Sequence, residues 1–210
     1  RDHAQSDGTL RLVYLGNVER SRGLHLVIDA MGLLGPTIPV RLDVFGAGSS
    51  LEVDQARARE LGLDDRIRFR GRVPYDEVLD CLHEFDVGLI PHHATDHWNY
   101  TIQNKFFDYM MAGLPLLVSS MAPAARMVGE IESGLVFRDR DPNDLAARIR
   151  ELMEPSIRAR MGAAGRAGVE REHHWGRDAT RLVASLEAQG RGPAAARRGP
   201  PEPEPRPGPR

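Results

Sequence analysis

The sequence has 210 residues, of which 41% are hydrophobic and 28% are charged, with a formal net charge of -2. This length suits one full-sized domain and is short for two, and no apolar run approaches the about 20 residues of a membrane-spanning helix. Because the basic residues are scattered among acidic ones rather than gathered into a stripe, the charge pattern also argues against a nucleic-acid partner.

Short apolar segments alternate with amphipathic segments from Leu10 to Phe137. The apolar segments predict six strands, at Leu10–Leu15, Val40–Phe45, Ile67–Phe69, Val87–Ile90, Leu116–Ser119 and Gly134–Phe137. The spacing of apolar residues between them predicts helices over Leu24–Met31, Leu51–Leu61, Asp76–Phe85 and Ile102–Met111. Short, continuously apolar strands joined by helices are typical of a parallel sheet buried on both faces. The predicted fold is therefore α/β, a doubly wound parallel sheet of six strands.

Beyond Phe137 the pattern is helical only. Asp141 is the predicted N-cap of a helix from Pro142 to near Met153. The helix is predicted to begin at Pro142 because proline suits the first helical position. Two further helices are predicted, from Ser156 towards Glu170 and from Trp175 to Ala188.

The composition divides the chain into three parts. Residues 1–9 are typical of a leader or an interdomain remnant, and residues 10–188 of one folded domain with extra C-terminal helices. Residues 189–210 predict a disordered tail, because a segment so rich in proline and arginine cannot bury a core. The chain begins at Arg1 rather than methionine, so we expect it to be a piece of a longer protein or a trimmed one.

The turn after the first strand is the first candidate for a binding site, because doubly wound sheets bind ligands beyond the carboxyl ends of their strands. Gly16 lets the backbone approach a ligand closely, and Arg22 supplies a cation in front of the next helix N-terminus. This turn suits an anion, with an ordinary turn carrying a solvated arginine as an equal alternative.

Two later turns also contain glycine. Gly46 and Gly48 resemble a dinucleotide-binding fingerprint, but the third glycine is missing and the next strand does not end in an acidic residue. The pattern therefore argues against a nicotinamide cofactor and leaves a tight turn near a ligand. After the third strand, Arg72 and Val73 lie in a loop that is favoured as a simple structural turn, with binding of a planar base by its backbone as the alternative.

Lys105 is the only lysine in a chain with 28 lysine and arginine residues. A compact ammonium suits crowded phosphate oxygens, whereas a guanidinium is a wide planar fork, with an ordinary surface lysine as an equal alternative from composition alone. Asp108 follows one helical turn later on the same face, and its carboxylate can accept hydrogen bonds from two vicinal ribose hydroxyls. Together with the N-terminus of this helix, predicted near Ile102, these residues predict a site for a nucleoside diphosphate.

The loop after the fourth strand carries His92, His93 and His97, with Asp96 among them. Imidazole and carboxylate groups are common metal ligands, but these residues lack the i, i+4 helical spacing of zinc hydrolases. We therefore expect no metal site. Solvent exposure is favoured, with contacts to a sugar or phosphate as the next alternative.

These motifs together resemble the carboxyl-terminal, donor-binding domain of the group 1 (family 4) glycosyltransferases, which have the GT-B fold and a Rossmann-like sheet. The resemblance covers about Leu10 to Leu186, and its most specific part is the segment Asn104–Pro115 around Lys105. The other matching segments are Tyr14–Asn17, Arg22–Leu24, Val44–Gly48, Phe69–Val73, Asp86–Pro91 and Ser133–Val136.

The resemblance implies that a nucleotide-sugar donor binds at the strand ends and that its sugar is transferred with retention of configuration, without a metal or another cofactor. It implies contacts of the ribose with Asp108, of the base with Arg72 and Val73, and of the diphosphate with Gly16 and the helix start. Protein cations must then stabilise the departing diphosphate, so Arg22 and Lys105 are the implied catalytic residues. The remaining implied donor contacts are Asn17, Gly46, Gly48, Tyr100, Thr101, Ile102 and Asn104.

Some positions depart from the family pattern. Asn17 stands where many members have arginine, and Arg22 where they have lysine. Tyr100 replaces the first acid of the two-glutamate signature, which normally faces the donor sugar, and Asp108 replaces the second. Asp96 is a carboxylate near Tyr100 that could take the place of the first acid, but we assign it no role. These departures leave open whether the chain can transfer a sugar.

The GT-B architecture further implies an amino-terminal acceptor domain, supplied by a longer chain or by a partner. We expect a glycan or lipid-linked glycan as acceptor and a role in polysaccharide biosynthesis. A single cysteine, Cys81, fits a reducing, cytoplasmic compartment, with peripheral attachment to the inner membrane face as an option. Two alternatives remain: a non-catalytic nucleotide-sugar-binding or interaction module, and a sugar-nucleotide epimerase of the same architecture.

Overall fold

Six parallel strands form one sheet in the computed structural model, which describes residues 8–74, 77–172 and 175–190. They are β1 (Leu10–Leu15), β2 (Val40–Phe45), β3 (Ile67–Gly71), β4 (Val87–Ile90), β5 (Leu116–Ser119) and β6 (Gly134–Phe137). The predicted α/β fold and its strands are confirmed, and β3 continues past its predicted end at Phe69 to Gly71.

Helices connect and follow the strands. They are α1 (Leu24–Leu34), α2 (Leu51–Glu60), α3 (Val78–Leu82), α4 (Asn104–Met111), α5 (Ala122–Ile131), α6 (Pro142–Glu151), α7 (Pro155–Glu172) and α8 (Trp175–Gly190). One-turn 3-10 helices lie at Arg20–Arg22 and Trp98–Tyr100.

Several helix bounds differ from the predictions: α3 ends at Leu82 rather than at Phe85, and α7 begins at Pro155 rather than at Ser156. The sequence predicts no helix at α5, whose N-cap residue Met121 has no capping side chain; its first amide, that of Ala122, donates instead to Oδ1 of Asn99 at 3.2 Å. α4 begins at Asn104 rather than near Ile102, because the backbone of Gln103 is still extended. α6 begins as predicted, with the Asp141 carboxylate accepting hydrogen bonds from two backbone amides of its first turn, each at 3.0 Å.

The strand order β3-β2-β1-β4-β5-β6 places the start of the chain in the middle of the sheet. The chain runs outward from β1 to β3 on one side and from β4 to β6 on the other, so the winding direction reverses between β1 and β4. A crevice opens beyond the carboxyl ends of the strands at such a switch point, and doubly wound sheets bind their ligands there.

β1 separates two hydrophobic cores. Leu12 and Tyr14 lie in one core, together with side chains of α1 and α6, whereas Val13 and Leu15 lie in the other with side chains of α4 and α5. All four side chains are buried, as expected for a central strand covered on both faces. The carboxyl end of β1 is therefore anchored on both sides.

The chain divides into two compact units, with the boundary between Glu172 and His173. This boundary falls inside the predicted 10–188 domain, and α8 continues to Gly190, past the predicted start of the tail. Most of the predicted leader and tail, residues 1–7 and 191–210, lies outside the described residues. None of the helices in the described ranges is both long and apolar enough to cross a membrane.

Glycines let the turns after β1 and β2 cross in close contact. A Cβ atom on Gly46 would lie 1.8 Å from the carbonyl oxygen of Gly16, and one on Gly48 would lie 2.3 Å from that of Val18. The Val18 amide also donates a hydrogen bond to the carbonyl of Ala47 at 3.0 Å. These turns are held together by backbone contacts that any side chain at Gly46 or Gly48 would block.

Replacement of Gly46 by alanine is expected to lower the free energy of unfolding by about 2–3 kcal/mol, because the added methyl group forces the backbone of the first turn to shift. Gly129→Ala is the matched control: this glycine is exposed within α5, and its Cβ would meet nothing within 4 Å. The control should instead gain about 0.5–1 kcal/mol. Urea unfolding followed by circular dichroism measures both, and a Gly46→Ala variant as stable as the wild type would contradict the packing argument.

Candidate functional site

A cleft of about 370 Å³ lies beyond the carboxyl end of β1, at the switch point of the sheet. It extends between the turn after β1 and the N-terminus of α4. Its lining residues are Leu15, Gly16, Arg22, Trp98, Ile102, Gln103, Asn104, Lys105 and Asp108. The structure thus brings together six of the residues that the sequence singled out: Gly16, Arg22, Ile102, Asn104, Lys105 and Asp108.

Lys105 is buried in this cleft, with 8% of its surface exposed. Its Nζ donates a hydrogen bond to the carbonyl oxygen of Leu15 at 2.6 Å and lies 4.5 Å from the centre of the Tyr14 ring. Burial, and secondarily the charge of Arg22, lower the pKa of Lys105 to about 7. No ion pair between Lys105 and a carboxylate is present within the described ranges. The ammonium therefore lacks a counterion within reach and favours an anion beside it.

Gly16 provides the space in which the two cations of the cleft approach the backbone. Its φ of 125° is rarely adopted by residues with a side chain. A Cβ atom there would lie 3.3 Å from Nζ of Lys105 and 3.9 Å from a guanidinium nitrogen of Arg22. A side chain at position 16 would thus occupy the space in front of both cations.

Arg22 is held by contacts on two sides. Its guanidinium lies 5.2 Å from the centre of the Trp98 ring, a cation–π arrangement, and its Nε lies 3.6 Å from a carboxylate oxygen of Glu19. The turn behind it is tightly packed, because a Cβ atom on Gly23 would lie 1.8 Å from the carbonyl oxygen of Pro91. The first turn thereby contacts the end of β4, and Arg22 is directed towards the cleft.

α4 presents its N-terminus and its polar face to the same cleft. Asn104 is its first residue, Lys105 follows, and Asp108 comes one turn later. The unpaired amides and the dipole of a helix N-terminus favour anions, and here they act together with two side-chain cations. The Asp108 carboxylate supplies an acceptor for hydroxyl groups. The arrangement can hold an anionic group and a neighbouring diol.

Seven predicted donor contacts lie outside the lining of the cleft: Asn17, Gly46, Gly48, Arg72, Val73, Tyr100 and Thr101. Gly46 and Gly48 pack against backbone, as described above, which accounts for their lack of side chains without a ligand. Tyr100 is 87% exposed, and the Thr101 hydroxyl donates to the carbonyl of His97 at 3.2 Å. The roles of all seven remain predictions.

Three residues that line the cleft were not among the predicted contacts: Leu15, Trp98 and Gln103. Leu15 is the last residue of β1, and its position at the carboxyl end of a predicted strand could have indicated that it lies at the site. Trp98 and Gln103 lie in an irregular segment between β4 and α4, where no periodicity indicates which side chains turn inward.

Of the three histidines after β4, His92 and His93 are buried rather than exposed to solvent as predicted, and His97 is exposed. His92 is buried, with its ring 4.6 Å from that of Trp98, and burial followed by the charge of Lys105 lowers its pKa strongly. His93 pairs with Asp139 at 2.7 Å, and His97 contacts Trp98. The parts of the chain that the structure describes contain no group of three or more side chains placed to hold a metal ion.

A family model matches most of the folded part of the chain. The matched family is described as glycosyl transferases group 1, and the match covers residues 9–155. This range contains the sheet, the cleft and every residue that lines it.

Curated relatives and solved structures are similar over most of the chain. Glycogen synthase of Mycobacterium tuberculosis is 29% identical over 203 residues, which are 95% of this chain and 46% of the relative. The GDP-mannose-dependent alpha-(1-6)-phosphatidylinositol monomannoside mannosyltransferase of the same species is 29% identical over 89% of this chain and 48% of its own length. The chain therefore spans about half the length of these relatives.

The fold also matches that of Anabaena HepE, solved in complex with UDP. The TM-score is 0.76 at 16% sequence identity, over 86% of this chain and 49% of that chain. At this level of identity the likeness concerns the fold.

Lys105→Met is expected to remove a pH-dependent part of the stability. The pKa of Lys105 is lowered from 10.5 to about 7 in the folded protein. Between these two values the unfolded chain holds a proton that the folded protein has lost, so the free energy of unfolding rises with pH. Urea unfolding at several pH values should show the wild type gaining stability relative to Lys105→Met from pH 7 upward. Parallel pH profiles for the two proteins would contradict the lowered pKa.

Proposed function

The chain belongs to the group 1 glycosyltransferases and has the fold of their carboxyl-terminal GT-B domain, and from this we propose that its cleft binds a nucleoside-diphosphate sugar as the donor of a glycosyl transfer. One observation carries the proposal. Lys105, Arg22 and the N-terminus of α4 line one cleft at the switch point of the sheet, and Asp108 lies one helical turn beyond Lys105.

The diphosphate is the part of the donor that best matches these charges. Two cations and a helix N-terminus suit two adjacent phosphate groups, and the ammonium of Lys105 keeps further donors beyond the one given to Leu15. A bound anion would favour the charged form of Lys105 and raise its pKa from about 7. Gly16 leaves space for phosphate oxygens next to both cations.

The ribose and the base are assigned to different residues. Asp108 is the proposed acceptor for the vicinal ribose hydroxyls, since its carboxylate is in the cleft beside Lys105. Arg72 and Val73 are the proposed base contacts through their backbone groups, with Val73 partly buried against the core that contains α4. The UDP bound by HepE and the GDP-mannose named for the mannosyltransferase support a sugar nucleotide of this general kind.

For the chemical step we propose transfer with retention of configuration. The departing diphosphate develops negative charge, and Arg22 and Lys105 are the cations that would stabilise it without a metal ion.

The acceptor would bind to the part of the protein that corresponds to the other half of the relatives, and we propose a glycan or lipid-linked glycan as acceptor. Activity is thus proposed for the complete assembly.

A binding module without transferase activity is the second candidate. Tyr100 occupies the position of the first acid in the family pattern, and this tyrosine is 87% exposed outside the cleft. A carboxylate that could face the sugar is therefore missing at this position. Release of sugar or nucleoside diphosphate from a bound donor would separate the two candidates, because a pure binding module leaves the donor intact.

Lys105→Ala should weaken binding of UDP or GDP by between about tenfold and a hundredfold, because a charge-assisted contact to phosphate is lost. Binding of uridine or guanosine should change by less than about threefold, since a nucleoside carries no phosphate. Isothermal titration calorimetry on the whole chain measures both ligands.

Arg59→Ala is the control for the loss of a positive charge, because Arg59 is exposed on α2 outside the cleft. It should leave both affinities unchanged. Equal losses for nucleoside and diphosphate in Lys105→Ala would contradict a phosphate contact. A wild-type chain that binds none of UDP, GDP and ADP would refute the proposed function as a whole.

Asp108→Asn should reduce the selectivity for ribonucleotides. The carboxylate accepts hydrogen bonds from hydroxyls more strongly than an amide, so we expect a loss of about tenfold for the ribonucleoside diphosphate and almost none for its 2′,3′-dideoxy analogue. Asp65→Asn, an exposed carboxylate between α2 and β3, is the matched control. If both nucleotides lose affinity equally, Asp108 does not contact the ribose.

A further inference from the structure

Buried polar atoms without a hydrogen-bond partner are concentrated beside the cleft. Among the described residues seven side-chain atoms are of this kind, and five of them belong to Arg22, His92 and Gln103. Folded proteins leave few such groups, and the exceptions call for an explanation. Arg22 and Gln103 line the cleft, and His92 lies edge to face with Trp98, which also lines it. A ligand in the cleft would supply hydrogen-bond partners for these atoms.

Gln103 is the most informative of the three. It is 8% exposed, and neither the oxygen nor the nitrogen of its carboxamide has a partner in the described part of the chain. It occupies the N-cap position of α4, yet its side chain does not cap the helix. A carboxamide offers two donors and one acceptor oxygen, so this group is unusual in forming no hydrogen bond although it is buried.

The cleft that Gln103 lines also contains an aromatic part. The guanidinium of Arg22 lies over the Trp98 ring, 5.2 Å from its centre, and the His92 ring lies edge to face with it at 4.6 Å between ring centres. His92 is kept uncharged, because burial and the nearby cations lower its pKa. An uncharged amide and an aromatic ring in one cleft suit a ligand that offers hydroxyl donors and acceptors together with apolar C–H groups. A sugar has this chemistry.

We propose that Gln103 is a specificity-determining residue whose carboxamide binds hydroxyl groups of the transferred sugar. The inference rests on the proposed donor binding and extends it to the sugar. Lys105 and Arg22 contact the diphosphate and Asp108 the ribose, which leaves the uncharged carboxamide for the remaining part of the donor. Sugar hydroxyls that bond to both the nitrogen and the oxygen of the carboxamide then satisfy this buried group.

The test compares donor sugars with their nucleoside diphosphates on the 210-residue chain. Calorimetric titrations with UDP and UDP-glucose, and with GDP and GDP-mannose, give the sugar advantage, which is the ratio of the Kd of the diphosphate to that of its sugar conjugate. Gln103→Leu, which keeps the size and removes the polar atoms, should reduce this advantage roughly tenfold while the affinity for the diphosphate changes by less than about twofold.

Gln55→Leu on α2 is the control for the same substitution outside the cleft, and it should leave the advantage unchanged. The retained affinity for the diphosphate shows that the Gln103→Leu variant is folded. An unchanged advantage in this variant, an equal weakening of both ligands, or a wild type without any advantage would each overturn the role of Gln103. A wild type that binds no nucleoside diphosphate would instead remove the donor-binding proposal on which the inference rests.

Discussion

The peptide bonds on both sides of Leu15 are held by α4, and the position of the cleft depends on these contacts. The Leu15 amide donates to the hydroxyl of Tyr109 at 2.9 Å, and its carbonyl accepts from Nζ of Lys105 at 2.6 Å. The Tyr109 ring fits beside the sheet because Gly88 has no Cβ, which would lie 2.4 Å from it. A helix that supplies the polar face of the cleft is thus attached directly to the last residue of the central strand.

The same attachment determines the electrostatics of the cleft. Lys105 reaches the backbone only by burying its ammonium next to another cation, Arg22, and both effects favour the neutral form of the amine. Glu19 partly compensates Arg22 from the solvent side, whereas Lys105 has only a carbonyl and the Tyr14 ring among its contacts given by the structure. A local arrangement that is unfavourable in the free protein and improves when an anion binds is typical of a functional site.

Most strands were predictable from the sequence because they are short and mainly apolar, although β3 alternates Ile67 and Phe69 with exposed arginines. The lysine could be singled out because it is unique in the composition. α5 was not predicted, because its N-cap residue is Met121 and its first amide is bonded by Asn99 from 23 residues away, although Pro123 in its first turn was a local signal. Gly46 and Gly48 show a different limit: a glycine that lets backbone approach a ligand has the same signature as one that lets backbone approach backbone. Trp98 and Gln103 turn inward only through tertiary packing, which periodicity does not encode.

The crossing of the first two turns also has a consequence for how this site can vary. Because the backbone after β2 lies directly against the backbone after β1, the path of either turn depends on the other. Insertions or larger residues in one turn would require a compensating change in its neighbour. Variation in ligand preference is therefore expected to arise from residues 98–103, where Trp98, Ile102 and Gln103 line the cleft and no glycine of the described structure packs against the backbone. Attempts to redesign the ligand preference have most freedom in that segment.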